Sequence, residues 1–444
     1  MWLLPLLAGI IPIVTAQDST TTTDSLVVLN GQSATSIDQA SVPTGAYISY
    51  SSTITLPSSA DMPIPTANGS IIASASGNST SNSTTTTNSV MVLGGGGTAT
   101  VSGSASSTSA NSTSTPVVNT RPCNGYPEFC NRKYSNITMV TAHNSPFIKP
   151  GNAASNQALT VTSQLNDGVR MLQFQVHLVN GTLYLCHTSC DLLNVGTLES
   201  YLTEVAKWMQ QNPYDVVTFL IGNFDQVDPG NFTAPIENSG VMNYVYTPSQ
   251  IPMGLDDWPT LSSMILSGKR AVMFLDYRAN QKKIPWLMDE FSQIWETPFS
   301  PTDEAFPCNA QRPPGLKPKD AENRMYLANH NLNVQVNFGS INLLIPDTSH
   351  MDVTNGVSGF GSLGSMAENC TRRWNRPPNF LLVDYYNYGN PNGSVFEVAA
   401  KMNHVKWNGN CCGKKSAASS LTPGLNAFCL LAIVAAAQFL ADFF

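Results

Sequence analysis

The chain has 444 residues, a formal charge of −7 and only 11% charged residues, against roughly 25% in an ordinary globular chain. The acidic balance and the lack of a basic patch argue against nucleic acid as a partner. The shortage of charge also says that part of the chain is not built as an ordinary packed domain.

Residues 1–16, MWLLPLLAGIIPIVTA, form an apolar run closed by small residues and read as a secretory signal peptide cut before Gln17. Residues 17–120 are dominated by Ser, Thr, Ala, Gly and Asn, as in NSTSNSTTTTNSV. Such a tract cannot bury enough apolar surface to offset the entropy of ordering it, so it reads as a disordered, O-glycosylated stalk. One fragment of it, DSLVVLNGQS at 25–34, has strand character but nothing nearby to cover it.

From residue 121 the composition turns aromatic, with Trp and Pro, and stays so to 412. Strand-like runs recur at 136–144, 168–179, 182–188, 215–224, 270–278, 324–331 and 379–387. Helix-like segments separate them at 197–213, 260–268, 285–295 and 395–405; in the first, Thr197 and Ser200 stand at the start and Asn212-Pro213 ends the run. Apolar strands alternating with amphipathic helices imply parallel βα units. At this length they predict an α/β fold, a (β/α)8 TIM-type barrel, following the disordered Ser/Thr-rich segment.

The C-terminal residues 413–444 carry small residues at Ser416-Ala417-Ala418, a polar spacer and an apolar run interrupted by Asp442. That order is the signal for a glycosylphosphatidylinositol anchor, with a tail-anchoring membrane helix as the alternative. Nine cysteines are present, and setting aside Cys429 in the tail leaves eight. An even set in a secreted chain points to disulfides, but their connectivity stays open. Sequons at Asn68, Asn78, Asn82, Asn111, Asn136, Asn180, Asn231, Asn369 and Asn392 agree with the secretory route.

Chemistry collects at the strand ends: His143-Asn144, then Gln173 and Gln175, His187, Asn223 and Asp225, Asp276 and Arg278, and Asp384 and Tyr386. In a (β/α)8 barrel the strand C-termini share one rim, and the active site lies there. Two imidazoles can supply a general base and a general acid. Asp384 is the candidate partner that orients His143. A bridge between Cys186 and Cys190 would hold His187, although each can pair elsewhere.

The stretches TAHNSPF, GVRMLQFQ and LCHTSC resemble the first half of the phosphatidylinositol-specific phospholipase C barrel. With NPYDVVTFLIGNFD, WPTLSSMILSGKRAVMFLDY, WETPFSPTDEAFPC and RPPNFLLVDYYNYG, residues 122–408 look like the secreted fungal members of that superfamily. The resemblance implies a phosphoric diester hydrolase acting on an inositol lipid or a related phosphodiester. It assigns the base to His143 and the acid to His187.

Where animal relatives hold Ca²⁺ with an Asn and carboxylates, this chain has Asn144 but Gln173, Gln175 and Gly222, so calcium is not expected as a cofactor. Where bacterial relatives use an arginine, it has Gln175, leaving Arg170 and Arg278 as candidate cations. We therefore expect a monomer whose acid–base pair works without metal, with Asn144, Arg170, Gln173, Gln175, Asn223, Asp225, Asp276, Arg278 and Tyr386 contacting substrate. The membrane would be reached through the anchor or tail. A catalytically inactive barrel that binds a phosphorylated headgroup, or serves as a cell-wall surface protein, is the alternative. A carboxylate-pair glycosidase ranks last because it leaves both histidines without a role.

Overall fold

Eight short strands with almost no exposed residue run in the same direction, as expected of strands covered on both faces. They are β1 (Met139–Ala142), β2 (Met171–Val179), β3 (Val217–Asn223), β4 (Ala271–Leu275), β5 (Leu287–Asp289), β6 (Ile294–Glu296), β7 (Met325–Asn329) and β8 (Phe380–Val383). The computed structural model describes residues 47–56, 121–338, 341–409 and 411–412. The expected signal peptide, most of the Ser/Thr-rich tract and the expected C-terminal anchor signal lie outside them.

The ladder runs from β6 through β7 and β8 to β1, β2, β3, β4 and β5, all parallel. The last strand thus pairs with the first, and the sheet curls as a TIM-type barrel whose ladder is open between β5 and β6. A one-turn helix, Glu290–Gln293, is all that joins those two strands. The predicted helix at 285–295 is therefore a single helical turn set between two short strands. Its residues are buried on every side, so helical periodicity was never the cause of its apolar pattern.

Side-chain alternation sorts each strand into two layers. Leu172, Phe174 and Val176, Val217, Phe219 and Ile221, and Leu381 and Val383 belong to the outer core under the helices. Met139, Met171, Leu220, Phe274, Met288, Ile294, Leu327 and Leu382 fill the barrel with the caps Phe129, Tyr134 and Trp258. The inward positions nearer the strand C-termini are the polar ones, and the site lies there.

The longest helix, Leu198–Gln211, starts where Thr197 accepts a hydrogen bond from the Ser200 N–H, and it buries Leu202, Val205 and Met209. Helix Leu363–Trp374 and the hairpin Asn333–Phe338/Ile341–Pro346 had no counterpart in the sequence reading. Disulfides join Cys123–Cys130, Cys186–Cys190, Cys308–Cys370 and Cys411–Cys412. Asn136, Asn180, Asn231, Asn369 and Asn392 are all exposed, so those sequons can be glycosylated without disturbing the core. Among the described residues no helix is long and apolar enough to cross a membrane.

The expectation that 17–120 is a stalk throughout needs one correction. Residues 47–56 lie on the barrel, with Ile54 and Thr55 pairing antiparallel to Ile251 and Gln250. AYISYSSTITL supplies the aromatic and β-branched side chains that the surrounding Ser/Thr sequence lacks.

Candidate active site

The strand ends bring two histidines to one asparagine. His143, just past β1, donates from Nδ1 to Asp384 Oδ1 at 2.7 Å. The carboxylate, past β8, is 1% exposed and also accepts from Asn156 Nδ2 at 2.9 Å. His187 donates from Nδ1 to the Ala154 carbonyl at 2.5 Å and stacks on Phe147 with ring centroids 5.1 Å apart. Carbonyl and carboxylate only accept, so both rings carry Nδ1–H and present Nε2 as a lone pair. Asn144 Nδ2 stands 3.1 Å from His143 Nε2 and 3.2 Å from His187 Nε2, giving one hydrogen to each.

Asn144 is held in the left-handed region, φ 47°, which Asn tolerates better than most residues. Its N–H donates to Gln173 Oε1 at 2.7 Å, and the Ser145 N–H donates to the Gln173 carbonyl at 2.8 Å. Gln173 therefore pins the His-Asn turn. Burial pulls His187 down to about 4; the Ala154 bond offsets part of this, and neighbouring His143 adds to the fall. The ring is neutral in the resting protein at neutral pH.

A cavity of about 230 Å³ opens beside His143, lined also by Gln173, Gln175, Asp276, Glu296, Arg312 and Asn329. A Cβ at Gly222 would stand 3.2 Å from the Phe174 carbonyl oxygen, so glycine lets β2 and β3 approach closely at this point of the wall. Arg312 is its only arginine or lysine. The guanidinium pairs with Glu296 at 2.9 Å, both side chains being 4% exposed, and donates to Tyr277 Oη at 2.9 Å. Burial alone would lower Arg312, but Glu296, Tyr277 and Glu290 around it together more than offset this and raise it. Burial lifts Asp276 to about 6, and burial with the Glu296 charge lifts Glu290 well above the carboxylate range. Polar side chains share the cavity with Leu220, Phe224, Phe299 and Leu382, and it carries no excess of positive charge.

The family model described as PI-PLC X 1 matches residues 129–403. The chain belongs to the PI-PLC X family. An Arthroderma benhamiae protein named "Uncharacterized secreted protein" is 65% identical over 302 residues, 68% of this chain and 68% of that protein. A second from the same fungus, "PI-PLC X domain-containing protein 1", is 43% identical over 270 residues, 60% of this chain and 86% of that protein. Among solved structures, the phosphatidylinositol-specific phospholipase C from Listeria monocytogenes is similar with a TM-score of 0.41. Its sequence identity is 13%, covering 63% of this chain and 96% of that one.

Within this X domain several expected substrate contacts stand elsewhere. Arg170 lies at the opposite end of the barrel, bound to Asp215 at 2.7 Å and to the Leu165 and Val169 carbonyls. Being the residue before β2 rather than after it, it cannot reach the rim. Asp225 pairs with His177 at 3.1 Å outside the cavity. Asn223 turns its amide to the Val227 and Tyr277 carbonyls and holds the β3 and β4 loops together. Arg278, φ 65°, is exposed and does not line the cavity. Tyr386 is buried and donates to Asp167 at 2.6 Å, because Tyr385 at φ 43° breaks the strand alternation after Asp384.

Arg312, Glu296, Glu290, Tyr277 and Asn329 line the cavity unforeseen. Asn329, in ANHN, and Tyr277, between Asp276 and Arg278, stand at strand ends and had a signal of the kind used for the others. The donor set does not fit a divalent cation. Gln173 Oε1 is already the acceptor for Asn144, and no three histidine or carboxylate ligand atoms lining the cavity lie within 4.8 Å of one another. Among the described residues the one such grouping is Asp167, Cys411 and Cys412, whose cysteines are bonded to each other.

Proposed function

We propose that this X domain is a secreted or cell-surface phosphoric diester hydrolase that cleaves an inositol lipid or a related phosphodiester without metal. The observation that carries the reading is the Asp384–His143–Asn144–His187 relay, with two Nε2 atoms facing one shared donor. A substrate hydroxyl reaching His143 Nε2 would lose its proton there as its oxygen attacks phosphorus. Asp384 fixes the tautomer and balances the imidazolium that forms. His187 Nε2 would then give a proton to the leaving alcohol oxygen as the P–O bond breaks, and water would open the cyclic ester with the roles reversed.

His187 needs a proton for that role, and burial withholds it in the resting protein. A phosphodiester anion between the rings would favour the charged ring, so substrate binding would arm the acid. A cavity with no excess of positive charge suits a polyol ring: Gln175, Asn329, Asp276 and Arg312 offer donors and acceptors to its hydroxyls. The "secreted" relative and the exposed sequons support the extracellular placement, and the membrane would be reached through the C-terminal anchor or tail.

The test is release of inositol phosphate from labelled lipid with EDTA present. His143→Ala and His187→Ala should each lower kcat about 10²- to 10⁴-fold. Asp384→Asn should also lower kcat, with little change in KM. Loss of turnover in EDTA that calcium restores would overturn the metal-free reading.

A second reading, an inactive barrel that binds a headgroup, is favoured by one observation: the sole arginine of the cavity is already paired with Glu296. Saturable headgroup binding with no turnover in the wild type would select it.

A further inference from the structure

We propose that residues 47–56 are a strap belonging to the active site, in which Tyr47 positions Arg312 and closes its outer side; the effect on turnover rests on the hydrolase reading. Arg312 approaches the Tyr47 hydroxyl through Nε at 3.4 Å, and the Tyr47 and Tyr277 hydroxyls are 3.4 Å apart. These contacts are long, so the ring contributes most. It meets Phe291 edge-on with centroids 4.8 Å apart and Tyr277 at 5.7 Å. The guanidinium itself lies 4.8 Å from the Phe291 ring and 4.5 Å from that of Phe299. Glu296, Tyr277 and Tyr47 take three of its five N–H donors.

The strap is tied down at both ends. Ile48 packs against the outer core, and Leu56 is buried and donates its N–H to the Ser249 carbonyl at 2.8 Å. Burial, with the Asp289 charge, pushes the Tyr50 hydroxyl up to about 12, so this stretch sits against the β5 end of the barrel. A strap that keeps water from the Arg312–Glu296 pair strengthens the field in the cavity and holds the guanidinium in one orientation. Residues 57–120 separate it in sequence from the rest of the barrel chain, so a segment remote in sequence backs the arginine that lines the cavity.

The experiment uses the full chain with Tyr47→Ala, Tyr47→Phe, Leu56→Asp and the double variant Tyr47→Ala/Leu56→Asp. Leu56 does not line the cavity, so Leu56→Asp unseats the strap without touching Arg312 directly. Two readouts are taken: kcat and KM on labelled inositol lipid, and the modification rate of Arg312 by phenylglyoxal, followed by peptide mass spectrometry. Tyr47→Ala and Leu56→Asp should each raise Arg312 modification and lower kcat/KM about tenfold, and the double should be no worse than either single. Tyr47→Phe keeps the ring and should stay within about threefold of wild type. Unchanged Arg312 modification in either single variant, or an additive double, would overturn the strap. If the wild type turns nothing over, the hydrolase reading falls while the modification arm still decides the strap.

Discussion

Lowering the pH should destabilise this fold through His187 in a way that one substitution removes. Its ordinary value is 6.5, and burial brings it to about 4 in the folded protein. The unfolded chain therefore takes up the proton first as the pH falls. Stability is complete above pH 6.5 and is lost on the way down toward pH 4. The full difference corresponds to about 3 kcal/mol; the residue keeps some contact with solvent, so we expect about 2 kcal/mol in practice. The comparison protein is His187→Gln, measured by urea unfolding between pH 4.5 and 7.5. His330, fully buried and lowered to about 3, adds the same slope to both proteins and cancels in the difference. Between pH 6.5 and pH 5 the wild type should lose at least about 1 kcal/mol more than the variant. Parallel profiles would refute the burial argument, and with it the claim that the resting ring is neutral because the protein withholds its proton.

The buried pair makes a second prediction: Arg312→Met should cost about 3–5 kcal/mol by leaving Glu296 uncompensated, and adding Glu296→Gln should recover part of it. Equal urea midpoints for the single and double variants would contradict this. Two of the four disulfides should separate stability from function. Removing Cys308–Cys370, 62 residues apart, should cost about 4 kcal/mol by chain entropy. Removing Cys186–Cys190, 4 apart, should cost about 2 kcal/mol. The second change should nevertheless lower kcat more, because that bridge brackets His187; an unchanged kcat would show that Ala154 and Phe147 hold the ring alone.

Much of the barrel was legible because strand alternation leaves a trace in sequence. MLQFQV places Gln173 and Gln175 on the face opposite Leu172 and Phe174, and the structure has them inside the barrel while the apolar residues face the helices. Asp384 reached His143 from 241 positions away by the logic that all strand ends meet at one rim. That logic overreached wherever the backbone left the strand before the side chain was set, as at Tyr386 and Arg278. It missed Arg312 altogether, because a loop arginine before two prolines has no period to betray its direction. Residues 285–295 misled for a related reason: full burial erases the difference between a helical and an extended pattern.

The amino-acid order alone determined the parallel barrel, the rim on which chemistry collects, and the two histidines with their aspartate. These depend on local periodicity and on the few ways parallel strands can close. Only the tertiary structure decided what stands between the rings and what charge the cavity holds. Asn144 became a donor shared by both imidazoles because Gln173 holds its backbone in an unusual conformation. Arg312 became the cavity's cation, and Tyr47 its neighbour, because burial rewards pairing charge and ring across any distance along the chain. Such contacts are chosen by space rather than by spacing, so no reading of periodicity could have announced them.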